Sequence, residues 1–473
     1  MPFSRLSLKS GFIDFRVPLP PKNNSKEPEN RQRLTSAIIS KKSPFNKTSP
    51  IIRLFSSKPS TGEKYSPMQT ATSRSLFCLY LAYFADYFIW GVVITFLATY
   101  IGTAQSPFLH LCNWDKQVAL GVCIACFPIG EVIGSPILGD LSDLIGRRKV
   151  LLGGIVGSIF SLGLCALCLW KGWFVLFLIG QLLTGFFSGK QSMAQAAIAE
   201  IDTGTKGQKL AFLSVLGGIA WIAGPYLGGQ LLEEPFVTCG GYIWPSLLSC
   251  AIFVCTLFCT YFFFHDQYAP QNIRLPLTKF IRGMGHLFST FKERVFFLFL
   301  MNLLGWYLVI VSISYFLIQK FNLSNSEVGI FNSYIALCFT FGGILGTTWI
   351  LHRYRAKKIL FWMQMLGALG LFSLFGSEKI AELWIYLAIP AITEALIYPA
   401  YQTMLSDQTN ENNQGKMFGV LNAVNGICQI LAAWILSEIP TDYIGGAILL
   451  SGILFLCSAA FIPLILRKKV RAI

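Results

Sequence analysis

Residues Gly139 to Val150 read GDLSDLIGRRKV and lie between two long apolar segments. The stretch places two Asp residues and three consecutive basic residues in a short space. Charge is costly at membrane depth, so such a cluster is expected at a membrane surface. It therefore indicates a short charged turn between two membrane helices, on the side of the membrane that favours Lys and Arg.

The composition of the chain is that of a membrane protein. Of its 473 residues, 54% are hydrophobic and 13% are charged, whereas soluble proteins carry roughly 25% charged residues. Residues 1–75 hold 14 basic and 4 acidic residues, so most of the net charge of +15 belongs to this tail. The basic residues are not interleaved with aromatic stacking groups on a folded module, so nucleic-acid binding is not expected.

Apolar segments of about 20 residues recur from Leu76 onward, which is the length needed to cross a bilayer. The sequence therefore predicts an all-α integral membrane protein with twelve transmembrane helices. The predicted spans are 76–101, 117–138, 149–170, 173–199, 208–231, 242–264, 295–318, 327–350, 358–376, 381–405, 416–437 and 444–466. The predicted organisation is a tail 1–75, a six-helix bundle 76–264, a central loop 265–294, a six-helix bundle 295–466 and a tail 467–473.

The distribution of Lys and Arg predicts the orientation. The two tails, the central loop and the turn at Gly146 carry most of the basic residues, so this side and both termini are expected in the cytoplasm. The expected location is a bacterial inner membrane or plasma membrane. The Arg- and Ser-rich tail also looks like the end of a transit peptide, which would imply an organelle membrane. The alternatives are a disordered tail, or an upstream extension with the working start near Met68.

The opening stretch resembles the loop signature of the major facilitator superfamily. That signature runs Gly, two variable residues, a small residue, Asp, two variable residues, Gly, Arg, then Arg or Lys. The matching positions are Gly139, Asp143, Gly146, Arg147 and Arg148. The resemblance implies two bundles around a midplane cavity, and a loop that holds the two halves together in one access state. Glu200 and Asp202 are expected partners for the arginines; the alternative is that the basic residues only set topology.

A second motif, GPYLGG, lies in the fifth predicted helix. A Pro inside a membrane helix bends it, and clustered Gly residues let another helix approach closely. The segment resembles the helix-five motif of proton-coupled antiporters in the same superfamily, which implies export by antiport. The matching positions are Gly217 or Gly218, then Gly224, Pro225, Gly228 and Gly229. The alternative is a packing seam of small residues.

Four ionisable residues lie within predicted spans: Asp86, Glu131, Lys190 and Glu394. Such residues usually face a polar cavity or a partner. We expect Asp86, Lys190 and Glu394 near the middle of their helices and Glu131 nearer the cytoplasm. A carboxyl group that alternates between dry and wet surroundings can take up and release a proton. The alternative is a structural pair of Lys190 with an acid.

The run DYFIWG at Asp86 resembles the first-helix acid and Gly of tetracycline/proton antiporters. The Arg that this branch carries in helix four falls at Gln181 here, which puts the usual proton relay in doubt, and Lys190 can substitute for it. Several polar and aromatic residues are expected to line the cavity or to bond between helices. These are Asn302, Asn332, Tyr398, Tyr401, Gln402, Asn422, Asn425 and Gln429.

The sequence thus predicts a secondary transporter that works as a monomer in the bilayer, with a small organic substrate and protons as partners. No cofactor, metal site or catalytic arrangement is expected, so an enzyme is excluded. Proton-coupled export by alternating access is the first hypothesis, with Asp86 and Glu394 as proton-binding groups. A nutrient or siderophore importer, in which Lys190 contacts an anionic group, is the second. A non-transporting receptor on the same fold is the third.

Overall fold

The computed structural model describes residues 67–102, 115–200, 206–234, 236, 241–265, 294–346, 350, 353–407, 414–440 and 443–466. Every regular element within these residues is helical. Asp202, most of the central loop and most of the N-terminal tail lie outside the described residues.

Within the described residues, twelve helical spans follow one another, and the fourth is divided into two pieces. The helices are α1 (Pro67–Gly102), α2 (Lys116–Ile145), α3 (Arg147–Lys171), α4a (Phe174–Ser188), α4b (Lys190–Glu200), α5 (Lys206–Gln230), α6 (Trp244–Phe263), α7 (Arg294–Phe321), α8 (Asn325–Leu345), α9 (Ala356–Phe375), α10 (Ile380–Asp407), α11 (Gln414–Glu438) and α12 (Gly445–Leu466).

Ten of the described helices are long and apolar enough to cross a membrane. The fourth span is divided at Gly189 into pieces of 15 and 11 residues, and the eleventh has a shorter apolar section, Ala423–Glu438. The predicted all-α membrane fold is therefore confirmed.

The same packing pattern occurs twice in the described helices. In the first half, α1 packs against α5 and α6, α3 against α4a and α6, and α2 against α4a. In the second half, α7 packs against α11 and α12, α9 against α10 and α12, and α8 against α10. Each of these contacts of the first half reappears six helices later, which confirms two bundles of the same topology. The two halves meet along two seams, α2 with α11 and α5 with α8.

Both seams are joined at one end of the bundle. We call the end that holds the Gly146 turn the turn end, and the opposite end the far end. At the far end, Asn325 Nδ2 donates to the Leu232 carbonyl at 3.0 Å. The Ser326 amide donates to Glu233 Oε1 at 3.0 Å. On the other seam, a Cβ added at Gly121 would lie 2.6 Å from the Ala433 carbonyl oxygen, so α2 and α11 touch through their backbones.

A buried cluster of hydrogen-bonded polar side chains also links the halves, between the far end and the middle of the bundle. Asn332 of α8 donates to Thr95 Oγ1 of α1 at 3.1 Å and to Ser314 Oγ of α7 at 2.8 Å. All three side chains are buried. Because buried amides and hydroxyls need hydrogen-bond partners, this cluster favours the arrangement in which α1, α7 and α8 meet.

Two helix ends differ from the sequence prediction. α1 begins at Pro67 rather than 76, and α2 continues to Ile145 rather than ending at 138. The apolar pattern stops before the charged motif, but the helix continues into it, and Gly146 then ends the helix with a φ of 97°. This positive φ is a conformation that favours glycine. The longer α2 places Glu131 near the middle of the helix, and its expected depth in the membrane stays a prediction.

Candidate functional site

A glycine-lined contact between α2 and α4 positions two of the predicted charged residues. Gly130 and Gly134 of α2 face Gly185 and Gly189 of the fourth span. A Cβ added at Gly130 would lie 2.7 Å from the Phe186 amide nitrogen, which is closer than side chains are found. Small residues at this spacing let membrane helices approach through their backbones. Glu131 directly follows Gly130, and Lys190 directly follows Gly189. The contact therefore fixes the backbone positions from which these two side chains extend.

Lys190 and Asp86 form a buried ion pair in the middle of the first half. Lys190 Nζ lies 2.6 Å from Asp86 Oδ1, and the two side chains are 1% and 2% exposed. Lys190 Nζ also donates to Ser158 Oγ at 2.8 Å and to the Phe187 carbonyl at 3.1 Å. The ammonium group lies 4.7 Å from the centre of the Phe253 ring. Since an ammonium has three protons, each has an acceptor here.

The Asp86 carboxylate is less fully satisfied than its partner. Its Oδ1 accepts from Lys190, whereas its buried Oδ2 has no hydrogen-bond partner among the described residues. Buried polar atoms are nearly always bonded. An oxygen in this condition is where a proton or another donor would be accommodated.

Glu131 lies at a partly open position between the two halves. Its side chain is half-buried, and it is within electrostatic range of Asp86, Tyr83, Tyr87 and Tyr307. These residues come from α1 and α7, so both halves contribute to the surroundings of this carboxyl group.

Tyrosine rings from both halves surround this position. The Tyr83 and Tyr87 rings lie 4.6 Å apart between centroids. Tyr307 OH donates to Asn425 Oδ1 at 2.9 Å, and Asn425 Nδ2 donates to Tyr398 OH at 3.5 Å. Tyr398 is within electrostatic range of Tyr83, across the boundary between the halves. We call Tyr83, Tyr87, Tyr307 and Tyr398 the tyrosine cluster.

Glu394 lies in a separate polar network within the second half. Asn302 Nδ2 donates to both of its carboxyl oxygens, at 3.0 and 2.9 Å. Gln364 Nε2 donates to Asn302 Oδ1 at 3.2 Å and to Tyr401 OH at 2.8 Å. Tyr401 OH in turn lies 3.1 Å from Ser458 Oγ. Within the described residues, the hydrogen-bond partner of this acid is a neutral amide rather than a cation.

The two buried networks occupy equivalent places in the two halves. Asp86, Ser158 and Lys190 join α1, α3 and α4b. Asn302, Gln364 and Glu394 join α7, α9 and α10, which are the corresponding helices of the second half. The framework is therefore repeated, but only the first half is built around an ion pair.

The arginines of the opening motif bond to carbonyl groups of their own half. Arg147 Nη1 donates to the Met193 carbonyl at 3.3 Å, and Arg148 Nη2 donates to the Tyr261 carbonyl at 2.7 Å. A Cβ added at Gly139 would meet nothing within 4 Å in the described structure. The side chains of Asp143 and Glu200 lie outside the described structure, and so the predicted role of Glu200 stays a prediction.

One face of the GPYLGG motif packs against α1. A Cβ added at Gly224 would lie 2.6 Å from the Phe88 carbonyl oxygen, and one at Gly228 would lie 3.4 Å from Val92 Cα. Pro225 Cδ occupies the space beside Gly91, where an added Cβ would lie 2.8 Å away. α5 runs without a break through Pro225. The motif thus brings α5 close to the helix that carries Asp86.

The other face of α5 packs against α8 of the second half. A Cβ added at Gly218 would lie 2.5 Å from Thr340 Oγ1. One added at Gly229 would lie 2.6 Å from the Asn325 carbonyl oxygen and 3.0 Å from Gly329 Cα. The small residues of α5 therefore serve two close contacts at once, one within the half and one across the seam.

Gln181 does not join the ion pair. It is buried in α4a, and its side-chain oxygen has no hydrogen-bond partner in the described structure. It precedes Lys190 by nine residues, which is about 13.5 Å along a helix. Lys190 therefore takes the position beside Asp86.

The sequence reasoning missed several residues of these networks. Ser158, Gln364 and three members of the tyrosine cluster, Tyr83, Tyr87 and Tyr307, lie in apolar helices where single polar groups give little signal. Their positions near the middle of the spans were the available clue.

The comparisons with known proteins agree with this architecture. The family model of the Major Facilitator Superfamily matches residues 76–303 and 295–472. The tetracycline resistance protein, class G, of Vibrio anguillarum is 26% identical over 331 residues, or 67% of this chain and 79% of that protein. A D-xylose–proton symporter superimposes with a TM-score of 0.67 at 15% identity, over 82% of this chain and 97% of its own. The human organic anion transporter MFSD10 superimposes with a TM-score of 0.61 at 18% identity, over 84% of this chain and 100% of its own.

The fold and its repeated halves define a polytopic membrane transporter. The chain belongs to the Major Facilitator Superfamily. It is a multi-pass membrane transporter rather than an enzyme, and its predicted resemblance to the tetracycline-type branch is confirmed.

Proposed function

We propose that the protein exports a small organic compound in exchange for protons, by alternating access of a site between its two halves. The observation that carries this proposal is the Asp86–Lys190 ion pair, buried near the middle of the first half. A charge at this depth is costly unless it is paired, and ionisable residues there commonly mark ion pathways.

The pair can exist in two arrangements of charge. In one, Asp86 is ionised and neutralises Lys190. In the other, a proton occupies the carboxyl group, and Lys190 keeps Ser158, the Phe187 carbonyl and the Phe253 ring as partners. In the part of the chain that the structure describes, Oδ2 of Asp86 has no hydrogen-bond partner, and this supports the role because it leaves one oxygen available. Proton uptake on one side and release on the other then follow as the access to Asp86 alternates.

The packing of α5 supports coupling between the proton and the halves. Its small residues contact α1, which carries Asp86, and also α8, which belongs to the second half. A change in the position of α1 on protonation would be transmitted through α5 to the seam. The resemblance of this motif to that of proton-coupled antiporters, together with the likeness to a tetracycline resistance protein, favours antiport.

The importer hypothesis asks Lys190 to contact an anionic group of the substrate. All three protons of Lys190 Nζ have acceptors within the protein, and one of these acceptors is the Asp86 carboxylate. An anion would have to displace Asp86, so this arrangement does not favour import. We place the turn end in the cytoplasm, following the distribution of basic residues.

The sign of proton movement tests the proposal. The purified protein is reconstituted in liposomes that contain a pH-sensitive dye, and compounds from a library are added outside. Antiport predicts that a transported compound makes the lumen more alkaline, because protons leave as the compound enters.

Two variants complete the test. Asp86→Asn should abolish the dye signal, while Glu378→Gln, which alters an exposed acid, should leave it unchanged. Acidification of the lumen by a transported compound would instead indicate symport and overturn the proposal. A full signal in Asp86→Asn would remove the ion pair from the mechanism.

A further inference from the structure

Three basic residues lie at the turn end of the first half, on the helices α1 and α3. Arg74 and Arg148 are each the second residue of a segment that is long and apolar enough to cross a membrane. Lys149 follows Arg148 and is exposed. Basic residues at the ends of membrane spans lie at the level of the lipid headgroups. We call Arg74, Arg148 and Lys149 the basic corner.

The last turn of α6 brings the two sides of the basic corner together. Arg148 Nη2 donates to the Tyr261 carbonyl at 2.7 Å, and the Arg74 guanidinium lies 6.0 Å from the centre of the Phe263 ring. Tyr261 and Phe263 are two residues apart, which is about 3 Å along a helix. Since α6 packs against both α1 and α3, the two guanidinium groups share the same end of α6.

The charge of these helix ends suits an anion. Among the described residues, the stretches 67–75, 147–150 and 260–265 contain no acidic residue. Asp266 comes next in the chain and lies outside the described residues, and its single negative charge leaves the balance with the three cations positive. α3 also begins here, so the positive end of its dipole adds to the potential.

An exposed apolar stripe runs along α6 from the basic corner into the membrane. We call it the α6 stripe, and it consists of Ala251, Cys255, Phe258, Tyr261 and Phe262. Phe258, Tyr261 and Phe262 are 59%, 58% and 62% exposed, so these side chains face lipid rather than the bundle. The stripe covers about 16 Å along the helix, which is about half of the 30 Å hydrocarbon core and therefore one leaflet.

We propose that the basic corner binds the headgroup of an anionic phospholipid, whose acyl chains lie along the α6 stripe. The phosphodiester complements the guanidinium and ammonium groups in charge and in hydrogen bonding. The stripe favours a lipid over a soluble phosphate, because a soluble anion has no use for an apolar surface that leads away from its site. The inference does not depend on the direction of transport.

The leaflet agrees with this occupant. We place the turn end in the cytoplasm, and the cytoplasmic leaflet is the one in which anionic lipids attract basic segments beside membrane spans. α1, α3 and α6 all belong to the first half, so one bound lipid would join three helix ends of the same bundle.

Native mass spectrometry of the purified full chain in detergent tests the proposal. The probes are phosphatidylglycerol and phosphatidylcholine with the same acyl chains, which differ in the net charge of the headgroup. We expect one phosphatidylglycerol to bind at least about fivefold more tightly than phosphatidylcholine. Equal binding of the two lipids would overturn the proposal. So would equal binding of glycerophosphoglycerol, the same headgroup without acyl chains, because it would identify a site for a soluble anion.

Variants of Arg74 then locate the site. Arg74→Gln removes one charge, so the affinity for phosphatidylglycerol should fall about fivefold while that for phosphatidylcholine stays unchanged. Arg74→Lys keeps the charge and should keep most of the affinity. Lys358→Gln is the matched control, because Lys358 is exposed in the first turn of α9, the counterpart of α3 in the second half. Equal losses in Arg74→Gln and Lys358→Gln would show a general attraction to positive charge and refute the basic corner.

A variant of the α6 stripe tests the acyl-chain contact separately. Phe258→Ala should weaken the binding of both phospholipids and leave the preference for phosphatidylglycerol intact. Unchanged affinities for both lipids would refute this contact. Arg148→Gln should also lower the affinity for phosphatidylglycerol, but it removes the bond to the Tyr261 carbonyl as well. If that variant does not fold, the Arg74 variants decide.

Discussion

Replacement of Lys190 by Met should destabilise the protein more than almost any other single change in the first half. Met fills a similar volume but removes the charge that neutralises Asp86. At the observed separation of 2.6 Å, the Coulomb attraction is about 6 kcal/mol for an effective dielectric constant of roughly 20. Desolvation offsets part of this, and removal of one partner from a buried pair costs about 3–5 kcal/mol.

A double variant separates the energetic effect of the ion pair from that of side-chain packing. Asp86→Asn in the Lys190→Met background removes the second charge, so no unpaired charge is left. We expect the double variant to be less destabilised than Lys190→Met alone, with a coupling energy of about 2–3 kcal/mol. Lys171→Met, which changes an exposed lysine, should shift the stability by less than about 0.5 kcal/mol.

Unfolding in mixed detergent micelles measures the free energies of the wild type, Lys190→Met, Asp86→Asn, the double variant and the Lys171→Met control under one condition. The reasoning is refuted if the two single effects add in the double variant, because additivity would mean that the charges do not depend on each other. It is also refuted if Lys190→Met is as stable as the Lys171→Met control.

Three further predictions address packing, the seam and the second half. Gly185→Ala should lower the unfolding temperature in detergent because its Cβ would meet the α2 backbone, whereas Gly163→Ala, with open space around it, should be neutral or stabilising. Asn332→Leu should destabilise the state closed at the far end by about 1–2 kcal/mol, because it removes two buried hydrogen bonds. The population ratio of the two access states should then change roughly 5- to 30-fold. Spin-label distances between the halves measure this ratio, and unchanged distances would contradict the prediction. Glu394→Gln should keep transport within about twofold, because the Gln carbonyl oxygen can still accept from Asn302 Nδ2; loss of transport as complete as in Asp86→Asn would show that Glu394 carries a proton.

The sequence was sufficient for the fold because apolar length is a direct requirement of the bilayer. It also identified Asp86 and Lys190 individually, since a charge within an apolar segment is conspicuous. Their pairing depends on how closely α1, α3 and α4b approach, and glycines such as Gly130 and Gly185 indicate only that some helix comes near. A single sequence does not specify which one.

Tyrosines illustrate the other limit of the sequence. Tyr83 and Tyr307 lie in apolar segments, where a tyrosine is equally suited to a packed core, a lipid interface or a binding site. Only the approach of α1 to α7 shows that these rings lie near each other. The end of α2 was also misjudged, because its last turns carry the charged motif and look like a loop in the sequence.

The comparison of the two halves suggests how they divide the work of transport. Their helices pack in the same pattern, yet the first half holds an ion pair where the second holds an acid bonded to neutral groups. A change of charge during the cycle is therefore expected in the first half, with the second half as a neutral partner. α5 is the element that can carry this change to the seam, because it touches α1 near Asp86 on one face and α8 on the other. Its glycines are then needed for close contact on both faces, and larger residues on either face should uncouple proton binding from the movement of the halves.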